Sequence, residues 1–163
     1  MPSSQLREFS PERPRDDRII MLVEDNPDDE ELTLRALRKN NIANEVVVAR
    51  DGAEALDYLF ATGAYHARSP RALPDVILLD LKLPKLDGLE VLRRLRVHPL
   101  TELVPVVILT SSREDHDLVS SYRLGANSYI RKPVDFTQFL ESLRLLGLYW
   151  LVINEPPPRG ASA

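Results

Sequence analysis

The chain of 163 residues contains no cysteine, which excludes both a disulfide framework and a metal site built from thiolates. Its three histidines are His66, His98 and His116, and they are too scattered along the sequence to form a ligand set. We interpret each of them as a loop or surface residue. Any metal ion bound by this protein would therefore be held by oxygen ligands.

Long apolar runs are also missing. No stretch approaches the roughly 20 apolar residues of a transmembrane helix, and the N-terminus has no apolar core of a secretory signal. The net charge is −4, with acidic and basic residues interspersed, so there is no basic surface suited to a nucleic-acid backbone. These features predict a cytoplasmic protein that binds neither membrane nor nucleic acid.

The sequence does contain an alternation of short β-branched apolar runs with segments of helical spacing. The apolar runs predict five strands, at residues 18–24, 45–49, 75–80, 104–110 and 127–130. The other segments predict five helices, the first after Asn26-Pro27 and the rest at about 53–62, 88–97, 115–124 and 135–152. This alternation is typical of an α/β domain whose parallel sheet is covered by helices on both faces. We expect one domain over residues 18–153, between a flexible lead at 1–17 and a flexible proline-rich tail at 154–163.

Polar residues stand at the carboxyl ends of four of the predicted strands. In a doubly wound sheet, ligands bind outside these ends. We therefore expect the residues there to lie close together. They are Glu24 and Asp25 after the first strand, Asp80 at the third, Thr110 at the fourth and Lys132 after the fifth.

Three carboxylates brought together repel one another unless a cation neutralises them, and Mg²⁺ prefers oxygen ligands. We expect Asp25, Asp80 and the backbone carbonyl of Lys82 to bind the ion directly and Glu24 to act through water. With Mg²⁺ and the Lys132 ammonium in place, Asp80 is an ionised nucleophile suited to accept a phosphoryl group. The Thr110 hydroxyl would donate to a phosphoryl oxygen, and the small Ser111 beside it would leave room for the phosphate.

Each of these residues alone has a structural explanation, as a loop acid, a helix cap or an exposed lysine. Their joint placement at separate strand ends favours the functional interpretation.

Four segments of the sequence resemble the signature blocks of the receiver domains of response regulators: LVEDNPDD, ILLDLKLPKLDG, VILTSS and YIRKP. The resemblance covers residues 18 to about 150 and implies a flavodoxin-like (βα)5 sheet with strand order 2-1-3-4-5. It implies that Glu24 and Asp25 are the acidic pair and that Asp80 is the phosphoacceptor. Thr110 would be the switch hydroxyl, Tyr129 the switch aromatic, and Lys132 the family's lysine, followed by a cis proline, Pro133.

The segments GANSYIRKPVDFTQFL and LYWL, with the long loop at 63–74, are similar to single-domain regulators associated with phytochrome histidine kinases. This likeness implies a sensor histidine kinase as the phosphoryl donor and favours a bacterial phytochrome among such kinases. The expected function is a signalling switch without an enzymatic activity on other substrates. A phosphatase of the haloacid dehalogenase type would need a second carboxylate two residues after its nucleophile, where this chain has Lys82. A protein-interaction module that is never phosphorylated remains an alternative.

The segment LRLLGLYWLVI, residues 143–153, is apolar on nearly every side of a helix, although packing on the sheet requires a single apolar stripe. We expect a homodimer formed by the fourth helix, the fifth strand, the fifth helix and the C-terminal extension. The alternative is that the end of the helix folds back over its own core.

Overall fold

A computed structural model describes residues 18–132 and 135–154 of the chain. The predicted N-terminal lead, most of the predicted C-terminal tail and Pro133, for which a cis peptide is expected, lie outside the described residues. Among the residues described, no helix is both long and apolar enough to cross a membrane.

Five strands and five α-helices alternate along the described part of the chain, as predicted. The strands are β1 (Ile20–Val23), β2 (Val46–Ala49), β3 (Val76–Leu79), β4 (Val106–Thr110) and β5 (Ser128–Arg131). The helices are α1 (Pro27–Lys39), α2 (Gly52–Phe60), α3 (Gly88–Val97), α4 (Asp115–Arg123) and α5 (Phe136–Gly147). A short 3-10 helix, Gly63–Tyr65, lies in the loop that follows α2.

All strands are parallel, and their order in the sheet is β2-β1-β3-β4-β5, which confirms the predicted doubly wound topology. Successive side chains of a strand point to opposite faces of the sheet. In β1, Ile20 and Leu22 therefore pack on one side, against α1 and α5, whereas Met21 and Val23 pack on the other, against α2 and α3. Because helices cover both faces, the central strands are apolar at nearly every position.

The C-terminal part of α5 differs from the prediction. A single helix is predicted over 135–152, but α5 ends at Gly147 and continues as a π-helical segment, Leu148–Ile153. Gly147 lies close to α1: a β-carbon at this position would be 2.4 Å from Cδ1 of Ile42, in the loop after α1. The lack of a side chain at Gly147 thus allows the end of α5 to approach that loop closely.

Gly88, the first residue of α3, lies directly against the backbone of the loop that carries Asp80. A β-carbon here would be 2.2 Å from the carbonyl oxygen of Asp80 and 2.7 Å from Cα of Leu81. The Gly88 amide also donates to the carbonyl oxygen of Leu81 at 2.8 Å. The close approach of α3 therefore fixes the backbone on which Asp80 stands.

We expect Gly88→Ala to lower the free energy of unfolding by about 1–3 kcal/mol, because backbone atoms cannot move aside as a flexible side chain would. Urea denaturation measures the effect. Val97→Ala, at an exposed position of the same helix, is the control and should stay within about 0.5 kcal/mol of the wild type. A Gly88→Ala variant as stable as the wild type would contradict this close approach.

Candidate functional site

The carboxyl ends of β1, β3, β4 and β5 bring together the polar residues predicted from the sequence. Backbone hydrogen bonds continue the sheet pairing beyond the strand ends: the amide of Asp80 donates to Val23 at 3.1 Å, and that of Lys132 donates to Thr110 at 2.7 Å. The amide of Glu24 donates to Ala49 in the same way at 3.0 Å. The main chain therefore holds these residues in place on the sheet.

The Lys132 ammonium lies at the centre of the site. Its Nζ atom is 3.0 Å from Oδ2 of Asp80 and 3.1 Å from both carboxylate oxygens of Glu24. It also donates to Oδ2 of Asp29 at 2.9 Å. Only 11 % of the Lys132 side chain is exposed, so its contacts with the buried Glu24 and Asp80 are shielded from water and from salt.

The carboxylates of Glu24, Asp25 and Asp80 form a compact cluster. One oxygen from each lies within 4.8 Å of the others, with Asp25 exposed and the other two residues buried. All the ligand atoms on offer are oxygens, and the spacing would allow the three groups to share one divalent cation. The cluster therefore fits a hard metal ion such as Mg²⁺ or Mn²⁺.

The two buried carboxyl groups have pKa values shifted in opposite directions. Burial, together with a hydrogen bond to Asp80 and the negative charge of Asp80, raises the pKa of Glu24 to about 9. Burial also opposes the charged form of Asp80, but the hydrogen bond with Glu24 and the Lys132 ammonium outweigh it and lower the pKa of Asp80. Without a metal, the proton shared by this pair therefore resides on Glu24, and Asp80 stays ionised.

Lys132 stays charged. Burial disfavours its ammonium form, but the charge of Asp80 and the contacts with Asp29 and Glu24 raise the pKa of Lys132 above its ordinary value. A positive charge is therefore fixed next to the ionised Asp80.

The Glu24 shift predicts how stability depends on pH in the metal-free protein. A carboxyl group whose pKa is raised by folding favours the folded state fully below its unfolded pKa of 4.5 and loses this contribution as pH rises toward about 9. The lowered pKa of Asp80 affects the stability only at more acidic pH, and the raised pKa of Lys132 affects it only at more alkaline pH. We therefore expect the free energy of unfolding, measured in urea with a chelator, to fall across this interval.

In Glu24→Gln, the free energy of unfolding should fall much less as pH rises. In Glu31→Gln, at an exposed position of α1, it should fall as much as in the wild type. A wild-type stability that is flat with pH, or an undiminished decline in Glu24→Gln, would contradict the assignment of the proton to Glu24.

Thr110, at the end of β4, is fully buried. Its Oγ1 atom accepts a hydrogen bond from the amide of Ser112 at 3.3 Å, and Thr110 is close enough to Asp80 to help lower that residue's pKa. The buried Ser112 hydroxyl donates to Oδ2 of Asp117, on α4, at 2.6 Å. These bonds connect Thr110 to the first turn of α4. Ser111, in contrast, is exposed.

Tyr129, on β5, is half-buried and packs against the core on the α2 and α3 side of the sheet. Its hydroxyl oxygen is shielded from solvent and has no hydrogen-bond partner among the described residues. Burial raises the pKa of this hydroxyl. The ring is therefore turned inward, with a polar atom that would gain from a new partner.

An open cleft of about 450 Å³ lies beside the carboxylate cluster. Asp25 lies at the cluster end of the cleft, and Lys82 lines its wall. The amide of Lys82 is 3.4 Å from Oδ1 of Asp80, whereas the lysine residue itself is exposed. The cleft therefore connects the carboxylate cluster with solvent. The remaining lining residues are Leu81, Leu83, Pro84, Asp87, Leu89, Glu114 and Asp117.

Sequence reasoning missed the roles of Asp29 and Ser112. Asp29 stands in the acidic first turn of α1, where its charge favours the start of the helix, so the sequence explains it without a role in the site. The contact of Asp29 with Lys132 joins residues 103 positions apart. The spacing of Asp29 from Asp25 gives no signal for this contact, because α1 begins at Pro27 and Asp25 lies before its N-cap, Asn26.

The described site has the features of a known family. Residues 20–144 match the model of the response regulator receiver domain. Response regulator Rcp1 of Synechocystis is 37 % identical over 82 % of this chain and 89 % of its own length.

Solved structures extend the comparison. Phosphorylated RcpA, a cyanobacterial phytochrome response regulator, has a TM-score of 0.80 at 39 % identity, covering 87 % of this chain and 99 % of its own. The Mn²⁺-bound form of Rcp1 has a TM-score of 0.79 at 34 % identity, covering 86 % and 99 %. The bacteriophytochrome response regulator AtBRR is 59 % identical with a TM-score of 0.69, covering 85 % and 99 %.

Proposed function

This chain belongs to the response regulator receiver domain family, whose general function is to accept a phosphoryl group on an aspartate, and we propose that Asp80 is the acceptor. A carboxylate oxygen of Asp80 attacks phosphorus, and the bond from phosphorus to the donor nitrogen of a phosphohistidine breaks. The electron pair of that bond leaves with the imidazole. The observation that carries the proposal is the buried Asp80 carboxylate, which lies 3.0 Å from the Lys132 ammonium and forms an acidic cluster with Glu24 and Asp25.

We propose that the divalent metal of this site is Mg²⁺. Asp25 and Asp80 would hold the ion through carboxylate oxygens, the backbone carbonyl of Lys82 would be a third ligand, and Glu24 would act through water. The all-oxygen cluster and the Mn²⁺-bound form of Rcp1 support a divalent ion here. A bound Mg²⁺ would neutralise the carboxylates and the charge of the transferring phosphoryl group. Since metal binding requires ionised carboxylates, it would also remove the proton from Glu24.

Lys132 and Thr110 complete the proposed site. The Lys132 ammonium, which already contacts Asp80, would stabilise negative charge on the phosphoryl oxygens. The Thr110 hydroxyl donates to one of those oxygens, and the exposed Ser111 leaves space for the group to enter. Drawing Thr110 toward the phosphate would disturb its contact with Ser112 and let Tyr129 move, which changes the surface formed by α4, β5 and α5.

The proposed phosphoryl donor is a sensor histidine kinase of the phytochrome type, because RcpA and AtBRR are phytochrome response regulators. Such a kinase would place this chain in the cytoplasm, and the proposed output is a protein contact rather than nucleic-acid binding. Receiver domains are signalling domains rather than classical enzymes, and we propose that catalysis is limited to self-phosphorylation and self-dephosphorylation.

Phosphotransfer tests this proposal. Candidate histidine kinases are first phosphorylated with labelled ATP, then mixed with this protein and Mg²⁺, and the label is followed on both proteins over time. We expect rapid movement of label from a phytochrome-type kinase to this chain. Absence of labelling by every kinase and by acetyl phosphate would instead favour the protein-interaction module that is never phosphorylated.

We propose in addition that the chain forms a homodimer through α4, β5, α5 and the C-terminal extension. Apolar residues are exposed along this surface: Val119 and Tyr122 on α4, Leu145 on α5, and Leu148 and Tyr149 beyond it. A groove of about 310 Å³ runs between β5 and α5 and is lined partly by Leu145 and Tyr149. A two-fold dimer would remove these side chains from water in both copies at once.

Trp150 behaves differently from its neighbours. It packs partly against its own core, and its carbonyl oxygen accepts a hydrogen bond from Arg18 at 3.1 Å. The alternative that the helix end folds back over its own core therefore holds for Trp150. Leu148 and Tyr149, in contrast, are 42 % and 48 % exposed. The interface is therefore best probed at exposed residues such as Leu145 and Leu148.

We expect the double variant Leu145→Glu and Leu148→Glu to be monomeric at micromolar concentration, where the wild type sediments as a dimer, because each copy would place charges in an apolar contact. Val97→Glu, at a position 70 % exposed on α3, is the control and should stay dimeric. A monomeric wild type, with or without a phosphoryl mimic, would contradict the dimer.

A further inference from the structure

All three N–H donors of the Lys132 ammonium are engaged by carboxylates in this structure. A lysine ammonium has three donors and no acceptor. Its partners here are Glu24, Asp29 and Asp80, at 2.9–3.1 Å. A phosphoryl group on Asp80 can receive a hydrogen bond from Lys132 only if one of these contacts is given up or shared.

Asp29 is the partner that Lys132 can release at the lowest cost. Its side chain is 37 % exposed, against 3 % for Glu24 and 9 % for Asp80. A released Asp29 carboxylate would be hydrated at once, whereas a released Glu24 would be an unpaired group in the protein interior. When Lys132 changes partners, the hydrogen bond to Asp29 is therefore the one that it gives up most readily.

The backbone holds Asp29 in position to make this contact. The amides of Asp28 and Asp29 both donate to the side chain of Asn26, which caps α1, at 2.9 Å and 3.2 Å. Asp29 thus stands on a fixed helical turn facing the end of β5. Its contact with Lys132 does not depend on a mobile loop.

We propose that Asp29 is a positioning residue that competes with the phosphoryl group for Lys132. This inference rests on the proposed phosphorylation of Asp80. In the unphosphorylated protein, Asp29 holds one donor of Lys132. When the phosphoryl group arrives with its additional negative charge, that hydrogen bond passes from Asp29 to a phosphoryl oxygen, and no proton is transferred. Asp29 thereby stabilises the unphosphorylated state and limits how readily Asp80 is modified.

The test compares the wild type with Asp29→Asn and Asp28→Asn. Asp28 is the exposed neighbour on the same helical turn, and its substitution changes the net charge by the same amount without touching Lys132. Two quantities are measured in saturating Mg²⁺: the rate constant for phosphorylation by acetyl phosphate, and the affinity for beryllofluoride, a mimic of the phosphoryl group. Asp29→Ala is a second variant in case the asparagine side chain still binds Lys132.

We expect both quantities to rise by about three- to tenfold in Asp29→Asn, which corresponds to about 0.7–1.4 kcal/mol. Asp28→Asn should change them by less than about twofold, since exposed charges at this range are screened. A merely structural role for Asp29 would lower the melting temperature without raising the beryllofluoride affinity. The inference is overturned if both Asp29 variants match Asp28→Asn or fall below the wild type. If the wild type itself is neither phosphorylated nor able to bind beryllofluoride, the proposed function fails, and this inference with it.

Discussion

Asp80→Asn is expected to abolish the base-labile phosphoryl label that the wild type acquires from a phosphohistidine or from acetyl phosphate. An amide is too poor a nucleophile to form the mixed anhydride, so substitution removes the reaction itself and not only its efficiency. The ionised state of Asp80, with its pKa lowered by Glu24 and Lys132, is what makes the carboxylate reactive at neutral pH. Labelling in the variant should fall to background.

The Asp80 experiment needs a matched control for changes in charge. Asp28→Asn makes the same chemical change at an exposed position outside the carboxylate cluster and should be labelled normally. Asp80→Asn should remain folded, because Glu24 and Asp29 still pair with Lys132. Undiminished labelling of Asp80→Asn would contradict the assignment of the site.

Chelation of the metal, or Asp25→Ala, is expected to lower the rate of phosphoryl transfer by about 100-fold or more, while the fold survives. The loss follows from removing the cation that neutralises the transferring group, or one of its direct ligands. Asp25 is exposed, so its truncation creates no buried cavity. The transfer rate is measured with acetyl phosphate over a range of Mg²⁺ concentrations.

A second measurement separates metal binding from folding. Mg²⁺ should raise the melting temperature of the wild type, because a ligand that binds the folded state stabilises it, and Asp25→Ala should lose most of this increase. Glu114→Ala, which alters an exposed acid of the same cleft outside the cluster, should keep it. An Asp25→Ala protein that unfolds would point to a structural role, and one that keeps full Mg²⁺-dependent transfer would exclude Asp25 as a ligand.

The sheet and the convergence at its edge could be predicted from the sequence because both depend on local patterns. A strand buried on both faces must be apolar throughout, as in β3, where Val76–Leu79 are all buried. The polar residues of the site, such as Asp80 and Thr110, then lie where each apolar run ends. Parallel strands place these stops at one edge, so the site follows from the topology without any tertiary detail.

The contacts that were missed depend on how helices lie against the sheet. Periodicity places Asp29 on the first turn of α1, but the angle of that helix relative to the end of β5 decides that its carboxylate reaches Lys132. The end of α5 was missed for a similar reason. The run from Leu143 to Ile153 is apolar on both sides of Gly147, so the sequence gives no sign of the change to a π-helical segment.

The central claim, that Asp80 carries the phosphoryl group, is tested most directly by locating the modified residue. The protein is phosphorylated by a phytochrome-type histidine kinase and reduced with borohydride, which converts an aspartyl phosphate to homoserine, and its peptides are sequenced by tandem mass spectrometry. The account predicts homoserine at position 80, in the peptide that contains β3, and unmodified aspartate at positions 25 and 29. Homoserine at another aspartate, with position 80 unchanged, would contradict it.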